Sequence, residues 1–437
     1  MKNTALGNSL WHATATSAPT TAPLESDVQA DVCVIGGGYT GLSTALHLAK
    51  SGYSVTVLEA EEIGHGGSGR NAGHCTPTFI MMEPDDVKRK FGDPWGERIL
   101  RLQADAANQV FSLINRYEMD CEGQQNGYLQ VAHSPAMEAT IQARCKSYAA
   151  LGKDTTLLSR DDVAELTGSD KYFGGWLHPE GGHLNPLGYA RELARASLSE
   201  GARIYTRSRV TRIEEQPSGW RVSTTYGSVS AGKVIVGTGA YTDDFWPHLK
   251  KSFVPLTVAC FASEPLSKDI RQQVLPGNHH LVDTRKDPCL YKYNKDGRLV
   301  TSVFVERRRG RDADYTKRLL TERMKWLHPQ IGDMDWSYHW FGDLDMQPDT
   351  FPRLFELAPG IVAALGYSGR GVPTATAMGS VLADWAQGVA PEDLQVPLQA
   401  LKTVPQSGWI VPRLLLPLYR YRDRKLIRQA GLTAPTF

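Results

Sequence analysis

Apolar and polar positions follow two rhythms along this chain. The first clear switch between them comes at residues 31–61, DVCVIGGGYTGLSTALHLAKSGYSVTVLEAE. Val32 to Ile35 is a short apolar run bounded by polar and glycine residues, which predicts a strand buried on both faces. From about Thr40 to Lys50, Leu42, Ala45, Leu46 and Ala49 recur at offsets of three and four, giving a helix one apolar face, and Gly52 stands where that helix should stop. Ser54 to Leu58 returns to an apolar strand, and Glu59 closes it.

The glycines between strand and helix carry chemistry. Gly36 allows a tight turn, Gly38 lets the backbone approach a phosphate, and Gly41 lets the helix pack close to the strand. The free N–H groups and positive dipole at the helix start favour a pyrophosphate. Glu59 follows Gly36 by 23 positions, where it can accept hydrogen bonds from ribose hydroxyls and repel a 2′-phosphate. A lone GxGxxG is weak evidence; here the strand before, the helix after and the terminal acid agree on a bound dinucleotide.

The pattern predicts the remaining elements more coarsely. A glycine-rich loop runs from Ile63 to Pro77, and helices are expected over 97–119, 136–151 and Leu187–Gly201, with a helix start at Ser159 and Asp162. A β-rich stretch follows: RIYTRSRVTRIEE, a turn at Gln216–Gly219, the strand Val234–Val236 and a second glycine site at Gly237–Ala240. Residues 253–309 alternate as strands with a tight turn at Asp296-Gly297, and Arg311 to His328 reads as helix. Gly360 to Leu365 is another apolar strand, which runs into Gly366–Gly371 and a helix from Pro373 to Gly388. A second strand–glycine loop–helix unit can set N–H groups beside a second electron-rich group, such as the edge of a flavin ring.

Length and composition narrow the class. The chain has 437 residues, 41% hydrophobic and 22% charged, which suggests two or three globular domains. A net charge of +1 gives no general attraction to nucleic acid. No apolar run is long enough to cross a bilayer, and the start of the chain lacks a signal-like apolar segment, so a cytoplasmic enzyme is expected. The first 27 residues, rich in Thr, Ala and Pro, are expected to lie on the surface as an arm. Six cysteines, at 33, 75, 121, 145, 260 and 289, show no CxxC or zinc spacing, so they are expected to be reduced and buried, with no metal site.

In this order, the segments VIGGGYTGLSTALHLAKSGYSVTVLE, GSGRNAG, GGHLNPLGYARELA, VIVGTGAYTD, WFGDLDMQPDTFP and GYSGRG resemble the D-amino-acid-oxidase-like superfamily of FAD enzymes, from about 28 to 395. That superfamily includes glycine, sarcosine and γ-glutamylputrescine oxidases, and GSGRNAG with GYSGRGV is most like the last. The resemblance implies an α/β (α+β overall) fold: a Rossmann-like FAD-binding domain with a mostly parallel sheet and β-meander, and a substrate domain with a large mixed or antiparallel sheet flanked by helices. It implies 28–90, 155–250 and 350–395 for the FAD domain and 91–154 and 251–349 for the substrate domain, with 396–437 as a C-terminal segment.

The resemblance further implies that Gly36, Gly38, Gly41 and Glu59 hold ADP and that Ser68, Arg70, Asn71 and Gly73 lie along the flavin. Val210 would meet the adenine region, Gly239 the inner cofactor path, and Gly366, Gly369 and Gly371 the pyrimidine side. Neither the segment around Trp340-Phe341 nor Arg70 supplies the Cys or His to which some relatives attach flavin, so non-covalent FAD is expected. Leu344 and Pro373 stand where relatives carry carboxylate-clamping Arg and Lys, which favours an amine, or a larger amino acid anchored elsewhere, over a glycine-like substrate.

The implied reaction oxidises a C–N bond to an imine, with O2 as acceptor. Alternatives are a dehydrogenase that reduces a quinone or carrier protein, a flavin-bearing relay subunit without a substrate, and a nicotinamide enzyme. Candidate pocket residues are Tyr291, Tyr293 and Trp340 as aromatic walls, His74 at the flavin or its oxygen face, and Arg370 as a cation at the flavin edge, each set against ordinary packing or exposure. His183 is an acid/base or a structural histidine, and the His279-His280 pair shows no partner. The basic run Arg307–Arg311 is expected to be solvated. The tail at 409–428 either packs on its own domain or touches a membrane surface or partner, and Pro412 and Pro417 argue against one long helix there.

Overall fold

The structure, a computed structural model, describes residues 9–79, 82–305 and 312–433, with backbone alone at 406–414. Two large sheets organise it. The first has nine strands, and its middle is parallel: Ile361–Leu365, Ser228–Val236, Asp27–Ile35, Val55–Leu58 and Arg203–Tyr205 lie side by side in that order. Arg212–Gln216 and Gly219–Ser223 pair antiparallel with each other and then with Ser228–Val236, which forms the expected meander. Parallel neighbours need crossovers, and helices supply them on one face. Tyr39–Lys50, Pro186–Ser199 and Gly371–Gln387 bury Leu42, Leu46, Leu193, Met378 and Val381 against that face. The other face is covered by a cluster that includes Val222, Val229, Phe253 and Phe355.

The second sheet has eight strands, in the order Trp336–Met346, Val254–Pro265, Arg298–Phe304, Leu290–Tyr293, His280–Asp283, Tyr128–Val131, Gly175–His178 and Thr156–Leu158. His280–Asp283 pairs parallel with Tyr128–Val131 and the other neighbours are antiparallel, so the sheet is mixed. The helix Ala313–Leu327 packs Leu320, Met324 and Leu327 on it. The fold is the Rossmann-like FAD domain plus substrate sheet that the sequence led us to expect.

Local signals hold closely. Ser159 caps Arg160–Thr167 with a reciprocal bond to Asp162, Gly52 takes a φ of +85° just past its helix, and the Gly297 N–H closes a turn on the Asn294 carbonyl. All six cysteines are free and buried. The run Arg307–Arg311 lies outside the described residues.

Three expectations are corrected. The described part of the first 27 residues is more than a surface arm: Leu10 and Trp11 sit in a short helix, Leu10–Thr14, and are fully buried. With Leu24, also buried, they are large apolar residues in a mostly polar stretch, and their burial offsets the cost of ordering it. Thr156–Leu158 and Gly175–His178, in the stretch expected for the FAD domain, pair in the second sheet, while Leu398–Ala400 of the C-terminal segment pairs in the first. Gln406–Gln429 runs as one helix despite Pro412 and Pro417. Tertiary contacts hold its second half: Arg420 Nε donates to Asp287 at 2.7 Å, and Asp423 accepts from the Lys286 N–H at 3.0 Å.

Close packing of the first helix on its strand is the tightest demand in the fold. A methyl group added at Gly41 would stand 2.0 Å from the Gly36 carbonyl oxygen and 3.1 Å from Val34 Cγ1. At Gly52 a methyl group would meet nothing within 4 Å, leaving only the strain of its φ of +85°. Gly41→Ala should therefore lower the melting temperature by about 10 °C or more, or prevent soluble accumulation, whereas Gly52→Ala costs about 1–2 kcal/mol and a few degrees. Thermal melts of the two variants side by side check this; equal losses would place the constraint elsewhere.

Candidate active site

Three glycine turns meet at one edge of the parallel sheet. Asp27–Ile35 ends in Gly36–Gly38, Ser228–Val236 ends in Gly237–Gly239, and Ile361–Leu365 ends in Gly366–Gly371. All three strands are parallel neighbours, so the turns share the carboxyl edge, where open α/β sheets bind their ligands. Gly36 has a φ of +113° and lies under Gly237, whose carbonyl oxygen would be 2.7 Å from an added methyl group. The third turn is tied to the first by a 2.8 Å hydrogen bond between Tyr367 and Thr40. The two distant glycine loops are thus brought together.

Glu59 lies at the end of the second strand, as its spacing predicts. Its Oε2 accepts from the Gly37 N–H at 2.6 Å and its Oε1 from the Glu61 N–H at 2.9 Å. Burial raises its pKa against these bonds. Val210 is buried in the apolar cluster that holds Leu58. Ser68 Oγ accepts from the Tyr39 N–H at 3.0 Å and would be 2.8 Å from a methyl group at Gly38.

The loop that follows is held from all sides. Asn71 donates to the carbonyls of Gly67 and Ser68 and accepts from the Gly73 N–H at 2.8 Å, which fixes the turn internally. Arg70 Nε donates to the His65 carbonyl at 2.7 Å, and its guanidinium lies 5.9 Å from the Tyr241 ring centre. The Arg70 and Asn71 carbonyls accept from the indole N–H groups of Trp340 and Trp11, both at 2.8 Å. The two indoles meet edge to face at 5.7 Å. Trp340 therefore stands behind the loop as a brace rather than before it as an open wall.

Beyond Gly73 the site is cationic and aromatic. His74 pairs with His183 across a short two-stranded ladder and stacks on His280 with ring centres 4.1 Å apart. Both His74 ring nitrogens are buried without a hydrogen-bond partner. Burial first, then His280, Lys292, His183 and Arg370, hold its pKa well below 6.5, so the ring is neutral. Arg370 caps the last glycine loop and donates to the Thr78 carbonyl at 3.2 Å. His183 Nε2 lies 3.0 Å from the Asn278 carbonyl, which fits the structural reading.

Tyr291 and Tyr293 do not line this space. The Tyr291 hydroxyl meets His328 Nε2 at 2.7 Å, the Tyr293 hydroxyl donates to the Val274 carbonyl, and both rings pack in the core under Ala313–Leu327. Strand alternation turns the residue between them the other way. Lys292 is buried, its Nζ donates to the Leu184 carbonyl at 3.1 Å and lies 5.0 Å from the Trp11 ring centre, and a methyl group at Gly73 would be 3.2 Å from it. Burial lowers its pKa to about 8. The alternating pattern Leu290–Tyr293 held the signal for Lys292, and the aromatic residues drew attention from it. His280 showed no partner in the sequence because that partner, His74, is remote along the chain.

Residues 31–385 match the family described as DAO, FAD dependent oxidoreductase. The chain belongs to this family. It is an FAD-dependent oxidoreductase, and the glycine turns at one sheet edge suit a dinucleotide. It is 32% identical over 369 residues to gamma-glutamylputrescine oxidoreductase of Escherichia coli, covering 84% of this chain and 86% of that protein. Among solved structures it resembles glycine oxidase from Geobacillus kaustophilus, with a TM-score of 0.67 at 20% identity over 82% of this chain and 95% of that one. It also resembles an L-amino acid deaminase from Proteus vulgaris, with a TM-score of 0.69 at 19% identity over 87% of this chain and 95% of that one.

Asp345, absent from the sequence expectations, holds the third glycine loop of this family member. Its Oδ2 accepts from the Gly366 N–H at 2.6 Å, and burial pushes its pKa up to about 6 from 3.8. An acid whose folded pKa is raised leaves stability full below about pH 4 and lowers it as pH climbs to about 6, because the unfolded chain ionises first. Asn keeps an acceptor oxygen without the charge. Asp345→Asn should match the parent at pH 4 and exceed it above pH 6 by up to about 3 kcal/mol. Urea unfolding of the two proteins across that range measures the gap; a constant gap would reject the buried charge.

Proposed function

We propose that the enzyme oxidises a C–N bond of an amine or amino acid to an imine, which water then hydrolyses, with O2 as the electron acceptor. When bound, FAD supplies the two-electron acceptor. We further propose that Gly36, Gly38, Gly41 and Glu59 hold its ADP half, that Ser68, Arg70, Asn71 and Gly73 follow the ring, that Val210 and Gly239 flank the path between, and that Gly366, Gly369 and Gly371 wrap its far edge. The meeting of the three glycine turns supports this assignment. The similarity to gamma-glutamylputrescine oxidoreductase supports the substrate class.

The observation that carries the chemistry is the pairing of a neutral, unpartnered His74 with the buried Lys292 and the half-buried Arg370. An amine gives up hydride readily only when it is neutral, and a free alkylammonium has a pKa of about 10. Nearby positive charge and desolvation both lower that value. A ring nitrogen of His74 can then accept the amine's N–H or its proton and hold the nitrogen in place. Lys292 and Arg370 also offer a carboxylate an anchor in a chain that has Leu344 and Pro373 where relatives place theirs. Trp340 and Trp11 are positioning residues, acting through the loop they brace.

The test is anaerobic bleaching of the bound flavin by a panel of polyamines, γ-glutamylated amines, and N-methyl and cyclic amino acids. At least one class should bleach it; dithionite bleaching with no response to any amine would reject the substrate class. With that substrate, His74→Leu should slow bleaching by about 10²-fold or more at unchanged flavin content. Lys292→Met should shift the rising limb of the rate against pH upward by about one unit, because the bound amine then keeps its proton longer. Hydrogen peroxide release in air supports O2 as acceptor; bleaching without peroxide assigns a carrier instead.

A further inference from the structure

We propose that the outer face of the C-terminal helix Gln406–Gln429 docks the enzyme on an anionic lipid surface. The large apolar side chains exposed among the described residues are Leu157, Tyr226, Val389, Leu418 and Tyr421. The first three lie singly. Leu418 and Tyr421, 56% and 59% exposed, are three residues apart on one helix and so stand one turn above the other. Arg422, Lys425 and Arg428 are exposed around them, and Tyr421, Arg424, Lys425, Arg428 and Gln429 line one open concavity.

The charge on this helix is sorted by face. Asp423 is its one acid, and it points inward, accepting from the Lys286 and Asp287 N–H groups. Arg420 also turns inward, onto Asp287. The exposed charges are therefore all positive, on a chain whose net charge is only +1. Long basic side chains can lay their stems along an apolar surface while their heads reach phosphates, and Tyr and Leu can enter the headgroup boundary beside them. No helix among the described residues is long and apolar enough to cross a membrane, so the contact would be in-plane. A folded acidic partner would need matched pockets for Leu418 and Tyr421; a fluid anionic interface needs only the sorted charge and the paired apolar side chains.

The experiment sediments the FAD-loaded, full-length enzyme with vesicles of phosphatidylcholine alone or with about one quarter phosphatidylglycerol. The enzyme should pellet with the anionic vesicles, stay in solution with the neutral ones, and be released by high salt. Since each basic residue at such a surface contributes roughly fivefold, the triple variant Arg422→Glu, Lys425→Glu, Arg428→Glu should lose at least about tenfold in partitioning. Leu418→Ser with Tyr421→Ser should weaken binding as well. Both variants should keep the parent's flavin absorbance and melting temperature, since the inward contacts of Arg420 and Asp423 are untouched. Binding that is absent, equal for both lipids, or unaffected by either variant overturns the proposal. So does self-association of the parent, seen by sedimentation velocity and abolished by the same variants, which would assign this face to a second copy of the chain.

Discussion

The approach of one helix to one strand sets the terms for everything else in this molecule. Gly41 brings Tyr39–Lys50 against the Gly36 carbonyl, at a distance that no side chain would allow. That contact fixes where the helix begins, and so where its N-terminal N–H groups point. The same helix then becomes the floor for the third glycine loop. Ser43 donates to the Thr376 carbonyl at 2.7 Å, Gly379 leaves room for Ser43, and Thr40 meets Tyr367. Two segments more than 300 residues apart in the chain are aligned because both rest on one short helix.

The glycine-rich loop from Ile63 to Pro77 solves a different problem, that of keeping an irregular backbone in a single shape. Its carbonyls are held by indole N–H groups that come from remote parts of the chain, Trp11 and Trp340, and its interior is held by Asn71. Each hydrogen bond is worth about 1 kcal/mol net, but a buried carbonyl left unpaired would cost more. The second sheet takes part in this bracing. Its edge strand Trp336–Met346 reaches the loop through Trp340 and the third glycine turn through Asp345, so the second sheet is tied to both through one strand.

Much of this was legible in the sequence. The strand–turn–helix units, the capped helix at Ser159 and the free, buried cysteines all express local rules, in which neighbours a few residues apart decide the conformation. The residues that misled are those whose surroundings are remote. Tyr291 and Tyr293 looked like pocket walls because aromatic residues often are, yet alternation along a strand gives them and Lys292 opposite faces, and only the packing of Ala313–Leu327 decides which face is core. Trp11 stood in a polar stretch whose composition outweighed two apolar side chains. His280 and Asp345 became visible only once the strands that carry them were set beside His74 and Gly366.

The treatment of buried charge separates structure from chemistry here. Arg285 is buried against Asp283, its partner raises its pKa, and Asp283 also accepts from the Arg285 and Cys289 N–H groups, which holds the end of the strand His280–Asp283. Lys292 is equally buried but has a carbonyl and an indole face in place of a carboxylate, with only a weaker attraction from Glu122, and its pKa falls. A fold that needed Lys292 only for packing would gain by replacing it with an apolar residue of similar volume. Near it stand the neutral, unpartnered ring nitrogens of His74, whose hydrogen-bonding capacity is left unused. An unsatisfied imidazole and a buried ammonium without a carboxylate, both beside Gly73, are a cost that folding does not recover, and perturbed titratable groups gather where chemistry uses them. The same physical test places Tyr291, satisfied by His328 and enclosed by core, with the scaffold.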